Sequence, residues 1–275
     1  MLGVPIGELA MLAVALLAAG AVTGVLAGLF GVGGGAVIVP ILYEVFGFLD
    51  VPDDVRMPLA VGTSLAIIIP TSIRSFRGHY LKGAVDMDLL RAWAIPVVLG
   101  VLAGSFIARY ADPAVFKIVF VIVAGTNAVK LLFGNEKWRI ALDLPKGIAL
   151  RAYGVLIGLM SALMGIGGGQ ISNIIMTLHN RGIHQAVATS AGLGVLISVP
   201  GAIGYIFAGW GRAGLPPDAI GFVSLLGILL IVPTTLLTAQ IGVNLAHSWP
   251  KRKLEIAFGI FLAIVCLRFV VALFD

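Results

Sequence analysis

Two runs of glycine are the residues best placed to do chemistry. Gly31-Val32-Gly33-Gly34-Gly35 and Gly165-Ile166-Gly167-Gly168-Gly169 each part a long apolar stretch from a short one. Glycine costs about 1 kcal/mol against alanine in a helix interior, so consecutive glycines break regular helix. Each short helix then opens with free backbone N–H groups and the positive end of its dipole, which together make a seat for an anion. Gly33, Gly34 and Gly35, with Gly167, Gly168 and Gly169, are therefore candidate substrate-binding positions. The other reading is that glycine only permits close helix packing, as expected of Gly20, Gly24 and Gly28.

The two runs differ in the residues just beyond them. Pro40 stands five residues after Gly35, whereas Ile174 stands five after Gly169, and the second short helix opens with Gln170, Ser172 and Asn173. Polar side chains embedded in an apolar surrounding need partners. Two amides and a hydroxyl beside backbone donors would suit an oxyanion, with Gln170 and Asn173 helping to set selectivity. Hydrogen bonding between helices is the alternative. Thr63, Ser64, Thr189 and Ser190 would line the route to this seat or bond their own backbone. Asn127, Gln240 and Asn244 read as contacts between helices. Pro40, Pro70 and Pro200 are candidate gating kinks.

Other chemistries find no support. The glycine runs lack the GxGxxG context and the Walker lysine of nucleotide loops, and HExxH is absent. No Ser-His-Asp order in plausible context and no paired intramembrane carboxylates occur. His79, His179, His184 and His247 lie at segment edges, and the lone Cys266 lies in an apolar run where it would pack. The expectation is a non-enzyme with no metal and no cofactor.

These residues sit in a chain of 275, 60% hydrophobic and 11% charged, with 36 glycines and a mean hydropathy of +1.09. A soluble domain carries roughly 25% charged residues. The chain cannot cover a water-facing surface and reads as an integral membrane protein. Its net charge of +5 lies in short loops, not in a basic stripe with interleaved aromatics, so nucleic acid is not an expected partner. Apolar runs fall at 6–30, 35–48, 58–76, 89–110, 114–133, 148–164, 168–180, 185–208, 217–240 and 254–274. They are continuous, which argues for helices and against a barrel. Most have the 17–25 residues a spanning helix needs, and the second and seventh do not. The N-terminus carries no Lys or Arg near its start and has Glu8, unlike a cleaved signal peptide.

The halves repeat. The glycine run at Gly31 recurs at Gly165, and Ala60-Val61-Gly62-Thr63-Ser64 recurs, in the same order, as Ala186-Val187-Ala188-Thr189-Ser190. This predicts a first membrane repeat over 1–134, a cytoplasmic linker over 135–147 and a second repeat over 148–275. Counting five segments per half puts Arg56, Arg109, Lys117, Arg212 and Arg268 on one face and the other thirteen Lys and Arg on the opposite face. Four segments per half give a weaker asymmetry. The positive-inside rule thus predicts inverted repeats of about five segments, short glycine-interrupted helices at their interface, and both termini outside. A segment that dips in and returns has the same parity as two crossings.

Gly-Leu-Phe-Gly-Val-Gly-Gly-Gly over 28–35 with Pro40, then Ala-Val-Gly-Thr-Ser, then Gly83-Ala84-Val85-Asp86, resembles the TauE/SafE family of sulfite exporters. Gly165 to Gly169, Ala-Val-Ala-Thr-Ser and Pro250-Lys251-Arg252-Lys253-Leu254 are similar to that family's second half. The resemblance covers nearly the whole chain. It implies an inner-membrane permease for sulfite, organosulfonates or related small sulfur oxyanions. An anion leaving a negative interior is driven by about 2.3 kcal/mol per charge per 100 mV, so an exporter needs no ion coupling. No Asp or Glu occupies a segment centre, Glu44 and Glu255 lying toward segment ends. The expectation is potential-driven export by alternating access. A proton-coupled importer and a non-transport membrane assembly factor are the alternatives.

Overall fold

The computed structural model describes residues 6–30, 35–134, 139–248 and 250–274. These form helices α1 (Ile6–Phe30), α2 (Gly35–Phe48), α3 (Asp53–Leu81), α4 (Met87–Tyr110), α5 (Pro113–Phe133), α6 (Ile148–Met164), α7 (Gly169–Leu178), α8 (Ile183–Ala208), α9 (Leu225–Ser248) and α10 (Lys251–Val271). One hairpin of two-residue strands, β1 (Ala219–Ile220) and β2 (Val223–Ser224), precedes α9. The chain is an all-α multi-pass membrane protein. Five of the described helices are long and apolar enough to cross a bilayer: α3, α4, α5, α8 and α9.

Most apolar runs became helices at the expected places, and the ninth did not. Its helix starts at Leu225, not near 217, because Gly221 turns at φ +56° and the chain folds back. Asp218 then caps α9, its carboxylate accepting from Ser224 Oγ at 2.6 Å and from the Leu226 N–H at 3.1 Å.

Packing runs between the halves. α1 lies along α9 where Gly20 and Gly24 leave no room for a side chain against Thr234, Thr235 and Thr238. Thr235 Oγ1 donates to the Gly20 carbonyl at 3.1 Å and Thr238 Oγ1 to that of Ala21 at 2.9 Å. Gly154 and Gly158, at the same spacing in α6, receive α4 at Trp93, Pro96, Val97 and Val101. So the small-residue role expected of Gly20 and Gly24 is the one they have, and the side chains around Gly28 lie outside the described residues.

Two pairs of long helices cross antiparallel, α3 with α8 in the buried core and α5 with α10 beside it. In α3 and α8, Gly62 meets Tyr205, Leu65 meets Gly201, Ser72 meets Gly194 and Phe76 meets Gly192. In α5 and α10 the rings of Phe120 and Phe269 pack edge to face at 5.0 Å. Each of these two helices closes the open end of the other. Lys117 Nζ donates to the Ala272 carbonyl at 2.7 Å, and the Arg252 guanidinium donates to Leu131 O at 2.9 Å and to Leu132 O. Cations satisfying the last carbonyls of a helix also suit its dipole.

Candidate functional site

α6 and α7 form a helical hairpin whose tip is the second glycine run. Gly165 takes φ +67° and ends α6, its N–H and that of Ile166 both reaching the Ser161 carbonyl. Gly168 takes φ +76° and opens α7. Only glycine holds these left-handed conformations without strain, so the run is a built turn. α7 has 10 residues, about 15 Å of helix, too short to cross a bilayer core of about 30 Å. Its last carbonyl, Leu178 O, accepts from the Ile140 N–H at 2.9 Å, in the segment that precedes α6. The chain therefore enters, turns at the glycines and returns to the same side.

The tip lies at mid-length of the α3–α8 crossing. A methyl group on Gly167 would sit 3.0 Å from Ile68, 3.5 Å from Gly194 and 3.8 Å from Ser72 Oγ. The first short helix ends there too: a methyl on Gly35 would come within 2.5 Å of the Gly165 carbonyl and 2.8 Å of the Ile166 Cα. The two breaks, 134 positions apart in sequence, touch. Gly33 and Gly34 lie outside the described residues.

The two short helices present different surfaces. α2 opens with Gly35, Ala36, Val37, Ile38, Val39 and Pro40, all buried and, Gly35 aside, apolar. α7 opens with Gly169 and Gln170, the latter 3% exposed. Asn127 Nδ2 of α5 donates to Gln170 Oε1 at 3.2 Å, and Gln170 Nε2 is buried with no partner. Asn173 Oδ1, one turn on, is likewise buried and unpaired. Ser161 Oγ, fully buried, has no partner and would lie 3.7 Å from a methyl on Gly168. The opening of α7 thus has two buried donors without partners near it, Ser161 Oγ beside Gly168 and Gln170 Nε2 two residues on.

The other expected site residues divide. Ser172 is buried, but its hydroxyl donates to the Gly168 carbonyl at 2.7 Å, which pins the turn. Ser64 Oγ donates to the Gly165 carbonyl at 2.7 Å, tying α3 to the break. Ser190 Oγ instead donates to Val187 O on its own helix. Thr63 and Thr189 have parallel roles away from the tip. Thr63 Oγ1 accepts from the Ser224 N–H at the head of α9, and Thr189 Oγ1 from the Asp86 N–H at the head of α4, both at 2.9 Å. Pro40, Pro70 and Pro200 all lie inside helices, α2, α3 and α8.

Several residues at this place escaped the sequence reading. Lys130, which enters the sequence reading only as one of the thirteen cations that set orientation, sits on α5 with Nζ 2.5 Å from Thr177 Oγ1 on α7. Ser161 had no mark at all. Ser72 and Ser198 stand 126 positions apart, the spacing of the Thr-Ser pairs, and both are buried. That shared offset was a usable signal. Among the described residues, no three His, Cys, Asp or Glu come together.

The family model described as sulfite exporter TauE/SafE matches residues 16–269. The chain belongs to this family. It is similar to a probable membrane transporter protein of Haemophilus influenzae, 33% identical over 90% of this chain and 94% of that one. A second relative, a probable membrane transporter protein of Methanocaldococcus jannaschii, is 29% identical over 94% of this chain and 95% of that one. A third, from Bacillus subtilis, is 26% identical over 71% and 79% and has a name of the same kind. No solved structure matches the chain. Family membership and the spanning helices together make the protein a membrane transporter.

Proposed function

We propose that the protein is an inner-membrane permease for sulfite, organosulfonates or related small sulfur oxyanions, moving them outward down the membrane potential. One observation carries this reading: both glycine breaks meet at mid-length of the α3–α8 crossing, with two buried donors that lack partners, Ser161 Oγ and Gln170 Nε2, on the helices that flank the second break. An unsatisfied buried polar group costs about 1–3 kcal/mol, a cost that a visiting oxyanion would offset by accepting from these donors. A helix N-terminus supplies half a positive charge to such a visitor without burying a side-chain cation.

The halves, 1–134 and 148–275, are inverted repeats, with the linker on the cytoplasmic side and both termini outside. The reading is supported by helices at matching places in the two halves, α3 with α8 and α5 with α10, which pack antiparallel. A two-fold axis relating antiparallel neighbours lies across their length, hence in the membrane plane. Alternating access then amounts to one half rocking against the other about the breaks, the prolines of α2, α3 and α8 giving the bends.

Flux in proteoliposomes tests the mechanism. Sulfite efflux should carry current and speed up under an inside-negative potential, at about 2.3 kcal/mol of drive per charge per 100 mV. Flux indifferent to potential that follows a pH gradient would overturn potential-driven export and leave a proton-coupled carrier.

A further inference from the structure

α5 and α10, the fifth helix of each half, both carry a cation near their C-terminal ends. Arg268 of α10 reaches the other half's short helix α2, where Glu44 meets it at 3.0 Å. Lys130 of α5 reaches the other half's short helix α7, where it meets a hydroxyl, Thr177 Oγ1. One cation is cancelled on the short helix it touches. The other is not. The carboxylate that acts on Lys130 is Glu255 of α10, which also pairs with Arg252 at 3.5 Å.

Lys130 is also part of a continuous polar face. Gln170, Asn173 and Thr177 succeed one another at helical spacing along α7, and Asn127 and Lys130, three apart on α5, meet the first and last of them. Two of these five side chains hold a buried atom without a partner, Gln170 Nε2 and Asn173 Oδ1. A lysine this near a helix end ordinarily stretches outward to the headgroups. Here its nitrogen is held against α7.

We infer that Asn127 and Lys130 complete the oxyanion route from the opposite half. This rests on the proposed function and names the side chains that serve it. Asn127 is a positioning residue: by donating to Gln170 Oε1 it turns the carboxamide so that N–H groups, not oxygen, face the seat. Lys130 contacts the passing anion and supplies the side-chain positive charge that the donors at the tip lack. The anion recognised is small, with several oxygens and at least one full negative charge, such as a sulfite or a sulfonate head. A neutral solute gains nothing from Lys130.

The test uses the full-length protein, purified in detergent, with sulfite as the probe and methanesulfonate and sulfate beside it. K130M should weaken sulfite binding roughly ten- to a hundredfold, the range of a charge-assisted hydrogen bond. It should also flatten the salt dependence of binding between about 50 and about 200 mM, and K130R should restore both. N127D cannot donate to Gln170 Oε1, so the carboxamide turns over and presents oxygen. Its sulfite affinity should fall at least about tenfold, and adding Q170L should cost little more, since the two act through one group. R268M, whose cation is cancelled, should bind sulfite as the wild type does. If the wild type binds sulfite while K130M and N127D bind it equally well, the inference falls and the proposed function stands. A K130M defect that K130R does not restore, with the salt dependence unchanged, makes Lys130 a packing residue and also overturns it. Should N127D not fold, the pair K130M and K130R still decides. If the wild type binds none of the three anions, the proposed function falls and this inference with it.

Discussion

The two glycine breaks began as the same device and now differ in what surrounds them. Both lead into a short helix, and both arrive at mid-length of the α3–α8 crossing. The first short helix, α2, brings an apolar face that is buried throughout its opening turns. The second, α7, brings Gln170 and Asn173 with unpaired polar atoms, next to a fully buried Ser161 hydroxyl. Each break opens a helix with a backbone dipole end, but of the described residues in the two short helices only those of α7 hold buried polar atoms without partners. On the proposed function the first break acts as a buttress and the second as the seat, which separates the residues whose loss should cost affinity from those whose loss should cost stability.

The largest expected effect breaks the second turn. Gly168→Leu adds a side chain at φ +76° against Ile197, and should cut oxyanion flux by about a hundredfold or more through combined strain and overpacking. Gly35→Ala at the first break pushes on the Gly165 carbonyl, and should lower the melting temperature while leaving affinity within about threefold once folded. Equal loss of affinity in both would erase the distinction. Next comes the pair Gln170→Leu and Ala36→Ser, which stand at matching positions. The first should weaken sulfite binding roughly ten- to a hundredfold and the second less than about threefold; titration calorimetry reads both.

Smaller effects belong to the serines. Ser64→Ala leaves the Gly165 carbonyl without its partner and should cost about 1–3 kcal/mol of stability in a thermal melt. Ser190→Ala, at the matching place, removes a bond to its own helix and should cost under about 0.5 kcal/mol. Glu44→Gln is also a small change. Its ion pair with Arg268 is half exposed, so its removal should change stability by at most about 1 kcal/mol and leave affinity unaltered.

Much of this was legible in the residues. The apolar runs at 6–30, 35–48 and 148–164 coincide with α1, α2 and α6, because a continuous apolar stretch in a membrane has no alternative to helix. The second glycine run lies where the turn is. Ser172 was readable as polar, but its bond to Gly168 O was not, since a hydroxyl four residues beyond a turn can bond backward or outward. Thr63 and Thr189 read as lining the route or bonding their own backbone; that they accept from the heads of α9 and α4 was not legible, because those partners lie 161 and 103 positions away. Lys130 counted only toward orientation because its position near a segment end says nothing of the helix it will touch.

The sequence by itself determined the solvent, the segments and the recurrence of the two motifs. Hydrophobicity, glycine's freedom at φ above zero and the spacing of matched motifs are all properties of nearby residues, and no partner is needed to read them. Tertiary structure alone decided that Gly35 meets Gly165, that Asn127 turns Gln170, and that Lys130 meets a hydroxyl where Arg268 meets a carboxylate. Those contacts join residues tens to hundreds of positions apart. They depend on which helix faces which, and that is settled by close packing at Gly20, Gly24, Gly154 and Gly158, where the absence of a side chain lets one helix choose its neighbour.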